Sequence, residues 1–177
     1  MAVVLGVNVY TSIIDARSWS AHIPDSIVTA REYFKTVNPG TFFRKASPLN
    51  QLFALATLVV CWKSGKKVRL YFGLALLVAV LTDVFTFAYF YPRNDVLFVH
   101  ALSNADVLTK TCSEWRTMNW VRSLLLAFGL VCSMKGRRVL LEGTIGWKRQ
   151  FELSDVTASG QRTGGWSHPG TAGSGMD

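Results

Sequence analysis

Apolar residues along this chain fall into blocks divided by short charged stretches, the pattern that a bilayer imposes on a sequence that crosses it. A hydrocarbon core about 30 Å thick requires about 20 helical residues, with a range of roughly 17–25. The strongest block is Leu70–Tyr91, whose single charge is Asp83. Ala46–Trp62 carries no charge and is bracketed by Lys45 and Lys63. Thr117–Met134 holds one charge, Arg122. The N-terminal block, Met1–Ile14, ends at Asp15. At ~1.5 Å per residue it covers only about 21 Å, so it reads as a shortened start that crosses only if helix continues to about Trp19. The pattern predicts an all-α fold, a four-helix transmembrane bundle with spans at about 1–19, 46–62, 70–91 and 117–134.

Basic residues set the orientation. Lys63, Lys66, Lys67 and Arg69 follow the second block without any acid, and Lys135, Arg137 and Arg138 follow the fourth. The positive-inside rule places both groups in the cytoplasm. By parity both termini are cytoplasmic, the loops at about 20–45 and 92–116 are outside, and the expected location is the plasma (inner) membrane. In the first outer loop, Pro24 suits the opening turn of a helix over Asp25–Val37. Ile27, Ala30, Phe34 and Val37 recur there at three- and four-residue spacing, so an amphipathic helix is expected on the outer surface or over the bundle. Asn38-Pro39-Gly40 should stop it. Pro92 should end the third span sharply, leaving Arg93 and Asn94 to fold back over the bundle. Leu102–Trp115 is expected to form a short helix running into the fourth span. Beyond residue 138 the character changes. Gly143–Asp177 holds eight glycines and no periodicity, so a four-helix domain over 1–138 is expected to precede a disordered basic, glycine-rich tail over 139–177.

Composition agrees with the blocks. Of the 177 residues 50% are hydrophobic and 17% charged, against roughly 25% charged in soluble domains, and the mean hydropathy is +0.25. A net charge of +8 would suit nucleic acid. The basic residues lie at block edges, however, where topology explains them, and no basic face on a soluble element is evident. Cys61, Cys112 and Cys132 show no CxxC spacing, which argues against a thiol redox pair or zinc site. His22 and His100 stand in outer loops without a ligand pattern, so no metal is expected. The first block lacks a basic n-region, so no cleavable signal peptide is expected.

Polar residues inside a membrane are expensive, and their placement is therefore informative. Asn8, Thr11 or Ser12, and Asp15 repeat on one face of the first span. Ser47 and Asn50 or Gln51 open the second. Asp83, Thr86 and Phe90 share a stripe on the third, with Tyr89 adjacent, and Trp115, Asn119 and Arg122 follow i, i+4, i+7 on the fourth. The predicted topology brings all four stripes into the extracytoplasmic half, as one polar pocket. Asp83 lies about 12 Å below the outer end of its span and Arg122 roughly 7 Å below its own, a difference that the long arginine side chain covers. They are the expected pair, as a functional site or as a structural ion pair gluing helices together. Trp62 fits an aromatic belt, whereas Trp115 shares the polar face.

Asn8-Val9-Tyr10, Ser47-Pro48-Leu49-Asn50-Gln51, Asp83, Tyr91-Pro92-Arg93-Asn94 and Trp115-x3-Asn119-Trp120-Val121-Arg122 together resemble the anthrone-oxygenase-like family of small four-helix membrane proteins, formally a domain of unknown function. The resemblance covers about residues 1–134. It implies a cofactor-independent oxidation in which O₂ adds to an activated polycyclic phenol (anthrone) to give a quinone. Such chemistry requires a base for a carbon-bound proton and a cation for the enolate. Asp83 or Asp15 would be the base, with Arg122 and Asn119 holding the oxyanion. Asn8, Asp15, Asn50, Tyr89, Arg93, Asn94 and Trp115 would line the substrate. An Asp83 locked to Arg122 would be a poor base, and the sequence leaves these two roles in conflict. Partners are then the lipid bilayer and a hydrophobic, oxygen-bearing small molecule of phenolic or quinone type. Enzyme or not stays open at this level. The alternatives are a non-enzymatic bundle that binds lipid or a partner membrane protein, and a small transporter, which the lack of an inverted repeat disfavours.

Overall fold

The computed structural model describes residues 1–102 and 104–163, with side chains as far as residue 146. Every regular element among them is helical. The first run comprises α1 (Ala2–Tyr10), a π-helical turn at Thr11–Asp15 and α2 (Ala16–Trp19). The widened turn lets the consecutive Thr11 and Ser12 both face inward, and both are buried. A short helix, α3 (Asp25–Tyr33), places Asp25 in its first turn, where a carboxylate complements the helix dipole. Ser26 Oγ donates to the Trp19 carbonyl at 2.7 Å and ties α3 back to α2.

Two helix boundaries correct the sequence reading. α4 (Pro39–Val60) begins at Pro39 rather than Ala46. Asn38 accepts a hydrogen bond from the Thr41 amide at 3.0 Å and Pro39 fits the first turn, so the Asn-Pro-Gly segment starts a helix rather than only ending one. After the turn at Gly65, whose φ of +116° suits glycine, α5 (Lys66–Phe85) rises into a π-turn at Thr86–Phe90. α6 (Tyr91–Asn94) and a π-turn at Asp95–Val99 follow. Pro92 therefore does not end the run. It sits in the first turn of α6, directly after a π-turn, where its missing N–H and bulky ring displace no regular i→i−4 bond.

α7 spans Ala105–Thr163 and absorbs the short outer helix expected before the fourth span. Its start is held by Asn104, whose side chain accepts from the Asp106 amide at 3.0 Å. The chain divides into two compact units, Met1–Arg138 and Val139–Asp177. In the second, the expected disorder is corrected for 139–163, which is helical. No proline intervenes before Pro169, and a helix-interior glycine costs only about 1 kcal/mol against alanine. Residues 164–177 lie outside the described residues.

The best-packed core of the first unit lies at one end of the helices, not at their middle. Trp19, Ile27, Phe90, Leu97, Leu108 and Trp115 form a buried cluster there. Trp19 meets Phe34, Phe98 and Trp115 edge to face, the arrangement that aromatic quadrupoles favour. Arg31 on α3 donates to the Leu97 carbonyl at 2.8 Å and clamps the helix over this cluster. Away from it much of the helical surface is apolar. α4 has no buried residue and exposes Leu52, Phe53, Leu55, Val59 and Val60. Among the described residues, one helical run, Lys66–Val99, is long and apolar enough to cross a membrane. Close helix approach is marked by Gly136, where a Cβ would meet the Phe72 ring at 3.0 Å.

Candidate functional site

A cavity of about 930 Å³ lies in the first unit, walled by residues of all the helical runs from α1 to α7. Six charged residues among those described line it, and two of them, Asp83 and Arg122, are held in place by neighbours. Asp83, on α5, is partly exposed. Ser47 Oγ donates to its Oδ1 and Gln51 Nε2 to its Oδ2, both from α4. Ser47 and Gln51 sit one turn apart, so a single face of α4 presents both donors to the carboxylate.

Arg122, on α7, is 5% exposed. Its Nε donates to Asn8 Oδ1 at 2.7 Å, and Nη2 donates to the same oxygen. The guanidinium lies 4.7 Å from the Phe43 ring centroid and 4.8 Å from that of Phe90, within cation–π range on both. Nitrogen Nη1 makes no hydrogen bond among the described residues. The expected Asp83–Arg122 ion pair is corrected: no salt bridge joins them among the described residues. Each is instead held by neutral partners, and the Asp83 charge acts on Arg122 at longer range. The conflict between a locked pair and a free base is thereby removed.

Behind Arg122 a polar clasp joins the first run to α7. Asn8 Nδ2 donates to Ser123 Oγ (2.7 Å) and the Asn119 carbonyl (3.3 Å), while Asn119 Nδ2 donates to Ser12 Oγ (2.6 Å) and the Asn8 carbonyl (3.3 Å). Each serine donates to the carbonyl four residues earlier. The matching pentads Asn8-Val-Tyr-Thr-Ser12 and Asn119-Trp-Val-Arg-Ser123 thus clasp each other with local two-fold symmetry. Symmetry breaks at the fourth position. Arg122 satisfies Asn8 Oδ1, but Thr11 is too short to do the same for Asn119. Among the described residues, Thr11 Oγ1 and Asn119 Oδ1 are both buried without a hydrogen-bond partner.

Of the residues expected at the site, Asp83, Arg122, Asn50, Asn94 and Trp115 line the cavity. Trp115 Nε1 donates to Asn94 Oδ1 at 2.9 Å. Asn8 and Asn119 do not line it; they support Arg122 from behind. Asp15 also lies outside the lining. Tyr89 and Arg93 belong to a separate cluster, with Arg93 stacked 3.6 Å over the Tyr89 ring and paired with Glu114 at 2.8 Å. Phe43, Ser47, Gln51 and Phe90 hold the charged groups but were not among the expected site residues. Ser47 and Gln51 carried a signal in their shared i, i+4 face, and Phe90 in its place on the Asp83 stripe; Phe43 carried none.

Outside the apolar blocks, burial pushes the Cys112 thiol up from 9.0 to about 11, with nearby Arg116 pulling the other way. This keeps it a protonated, inert packing group beside Trp115. Among the described residues no group of three His, Cys, Asp or Glu side chains is placed to hold a metal ion.

The family model for anthrone oxygenase matches residues 40–132, more than half of the chain. The chain belongs to the anthrone oxygenase family. The matched segment of this anthrone oxygenase family member contains Phe43, Ser47, Gln51, Asp83, Phe90, Asn119 and Arg122, and leaves Asn8 and Asp15 outside. Neither a curated protein nor a solved structure matches the chain.

Proposed function

We propose that this protein is a multi-pass membrane protein that binds a hydrophobic phenolic molecule in its cavity and oxidises it in the manner of an anthrone oxygenase. The observation that carries the reading is the Arg122 guanidinium, buried between two phenyl rings, aligned by Asn8, and sharing one largely apolar-walled cavity with Asp83. A flat aromatic ligand would find apolar walls, a fixed cation for its oxygen, and a carboxylate within the same space. Asp83 would take the carbon-bound proton. Two neighbours fix its orientation, and each carboxylate oxygen keeps lone-pair capacity beyond the bond it accepts. Arg122 would hold the resulting enolate oxygen. O₂ then adds to the carbanion to give a peroxide, which takes up a proton and loses water to leave the quinone carbonyl. Asn119 is assigned a supporting role through the clasp.

Four membrane crossings, with both termini cytoplasmic in the plasma (inner) membrane, are part of this proposal. The apolar run Lys66–Val99 supports one crossing. The outward-facing Leu52, Phe53 and Val60 of α4, and Leu124, Phe128 and Val131 of α7, support lipid around the others. In water they would form an apolar surface larger than monomers tolerate.

The test is oxygen uptake and ligand binding with anthrone, using protein reconstituted in nanodiscs. Arg122→Ala should lose binding, Asp83→Asn should bind but not turn over, and Asp15→Asn should behave as wild type. Undiminished turnover in Asp83→Asn would remove it as the base. Binding without oxygen uptake by the wild type would favour the non-enzymatic lipid- or phenol-binding bundle.

A further inference from the structure

The cavity reaches the outside along one stripe. Val80, Val84, Phe87 and Tyr91, spaced four, three and four residues apart, share a face of the Lys66–Val99 run. All four line the cavity and all four are also exposed, Val84 to 57% and Phe87 to 59%. Side chains that do both frame an opening. Across from them, Gly40 and Arg44 of α4 likewise line the cavity and are exposed. The two helices run antiparallel from the turn before Gly65, and Ser47 and Gln51 tie them at Asp83. Beyond that tie, the frame is Val84, Phe87 and Tyr91 on one side and Gly40 and Arg44 on the other.

We propose that this gap is a lateral doorway through which a fused-ring phenol dissolved in the outer leaflet enters the cavity, passing Asp83 before it reaches Arg122. The inference rests on the ligand reading above and adds the route. Leu77 and Leu81 of α5 and Leu52 and Phe53 of α4 continue the apolar exterior beside the opening, so its surroundings are lipid rather than water. Charge supports the same ligand. Arg31, Lys35, Arg44 and Arg122 line the cavity against two carboxylates, Asp83 and Asp95, an excess of cations that favours an acidic hydroxyl. Arg44 lines the cavity and is exposed, and in the proposed bilayer setting a long arginine stem there would let its head reach the headgroup layer. A molecule of this kind concentrates in the bilayer, and a lateral entrance lets it bind without first returning to water.

The test uses 1,8-dihydroxyanthraquinone, a non-reacting fused-ring phenol, and protein in phospholipid vesicles, with tryptophan quenching recorded by stopped flow. The observed association rate should follow the mole fraction of probe in the lipid when the lipid amount is varied at fixed total probe. Val84→Phe, which narrows the doorway, should slow association and dissociation together by about fivefold, because a doorway raises the barrier and leaves both end states alone. Its Kd should stay within about twofold of wild type. Phe87→Ala, which widens the doorway, should accelerate both rates and guards against misfolding of the narrowed variant. Normal binding with rates unchanged in both variants, or rates that follow the aqueous probe concentration, would overturn the doorway alone. Absence of binding by the wild type would overturn the ligand reading, and the doorway with it.

Discussion

Asn8→Ala removes the one hydrogen-bond acceptor that the buried Arg122 guanidinium has among the described residues. Asn8 is fully buried, takes Nε and Nη2 of Arg122 on its Oδ1, and sends Nδ2 to Ser123 Oγ and the Asn119 carbonyl. A hydrogen bond to a charged group contributes about 1.5–3 kcal/mol. Neutral interhelical bonds inside a membrane average only about 0.6 kcal/mol, so in the proposed bilayer setting the pair from Nδ2 adds about 1 kcal/mol. The charge dominates. The substitution is expected to cost about 3–4 kcal/mol, at the lower end of what orphaning a buried charge costs. The assay is reversible unfolding in mixed micelles by SDS titration, followed by tryptophan fluorescence. The decisive comparison is a double-mutant cycle with Arg122→Met, which removes the charge and keeps an apolar stem between Phe43 and Phe90. Without the charge, Asn8→Ala should cost only about 1 kcal/mol, leaving a coupling of about 2–3 kcal/mol. A single-variant cost below about 1 kcal/mol, or costs additive to within about 0.5 kcal/mol, would refute the view that Asn8 holds the cation.

Thr11→Val exchanges an unpartnered buried hydroxyl for a methyl of the same shape; since an unmet buried polar group costs about 1–3 kcal/mol, the same titration should show equal or greater stability, not loss. Gly136→Ala drives a Cβ to 3.0 Å from the buried Phe72 ring and should lower stability by about 1–2 kcal/mol, whereas Gly73→Ala, with nothing within 4 Å, should be neutral or stabilising. Cys112 holds its proton more tightly folded than unfolded, so its contribution is complete below about pH 9 and is lost as pH rises towards about 11. Stability of wild type should therefore fall faster over that window than that of Cys112→Ala, and Cys112 should resist alkylation at pH 8 until the protein unfolds.

Helices were legible in the sequence because apolar blocks and polar spacing are local properties of the chain. Asn8, Asn119 and Arg122 announce themselves as polar residues on one face of an apolar block, and the first helical run does extend to Trp19. Misjudged boundaries came from proline. Pro39 and Pro92 read as stops, but a cap at Asn38 and a π-turn before Tyr91 make both of them first-turn residues. The tail misled for a related reason: scattered glycines lower helix propensity without forbidding helix.

Local pattern is enough, then, for an all-α chain, its helical blocks, its family, and a short set of polar positions too costly to be idle. Who holds whom follows only from how the helices pack. Depth alone matched Asp83 with Arg122, yet the rotation and order of the helices give Asp83 to Ser47 and Gln51, and Arg122 to Asn8, Phe43 and Phe90. Those rotations are set by apolar side chains. An apolar residue that faces a neighbouring helix and one that faces an apolar surroundings look alike in sequence, because hydrophobicity does not distinguish the two environments. Polar residues reveal that an inward face exists; the packing of the apolar ones chooses which partner it meets.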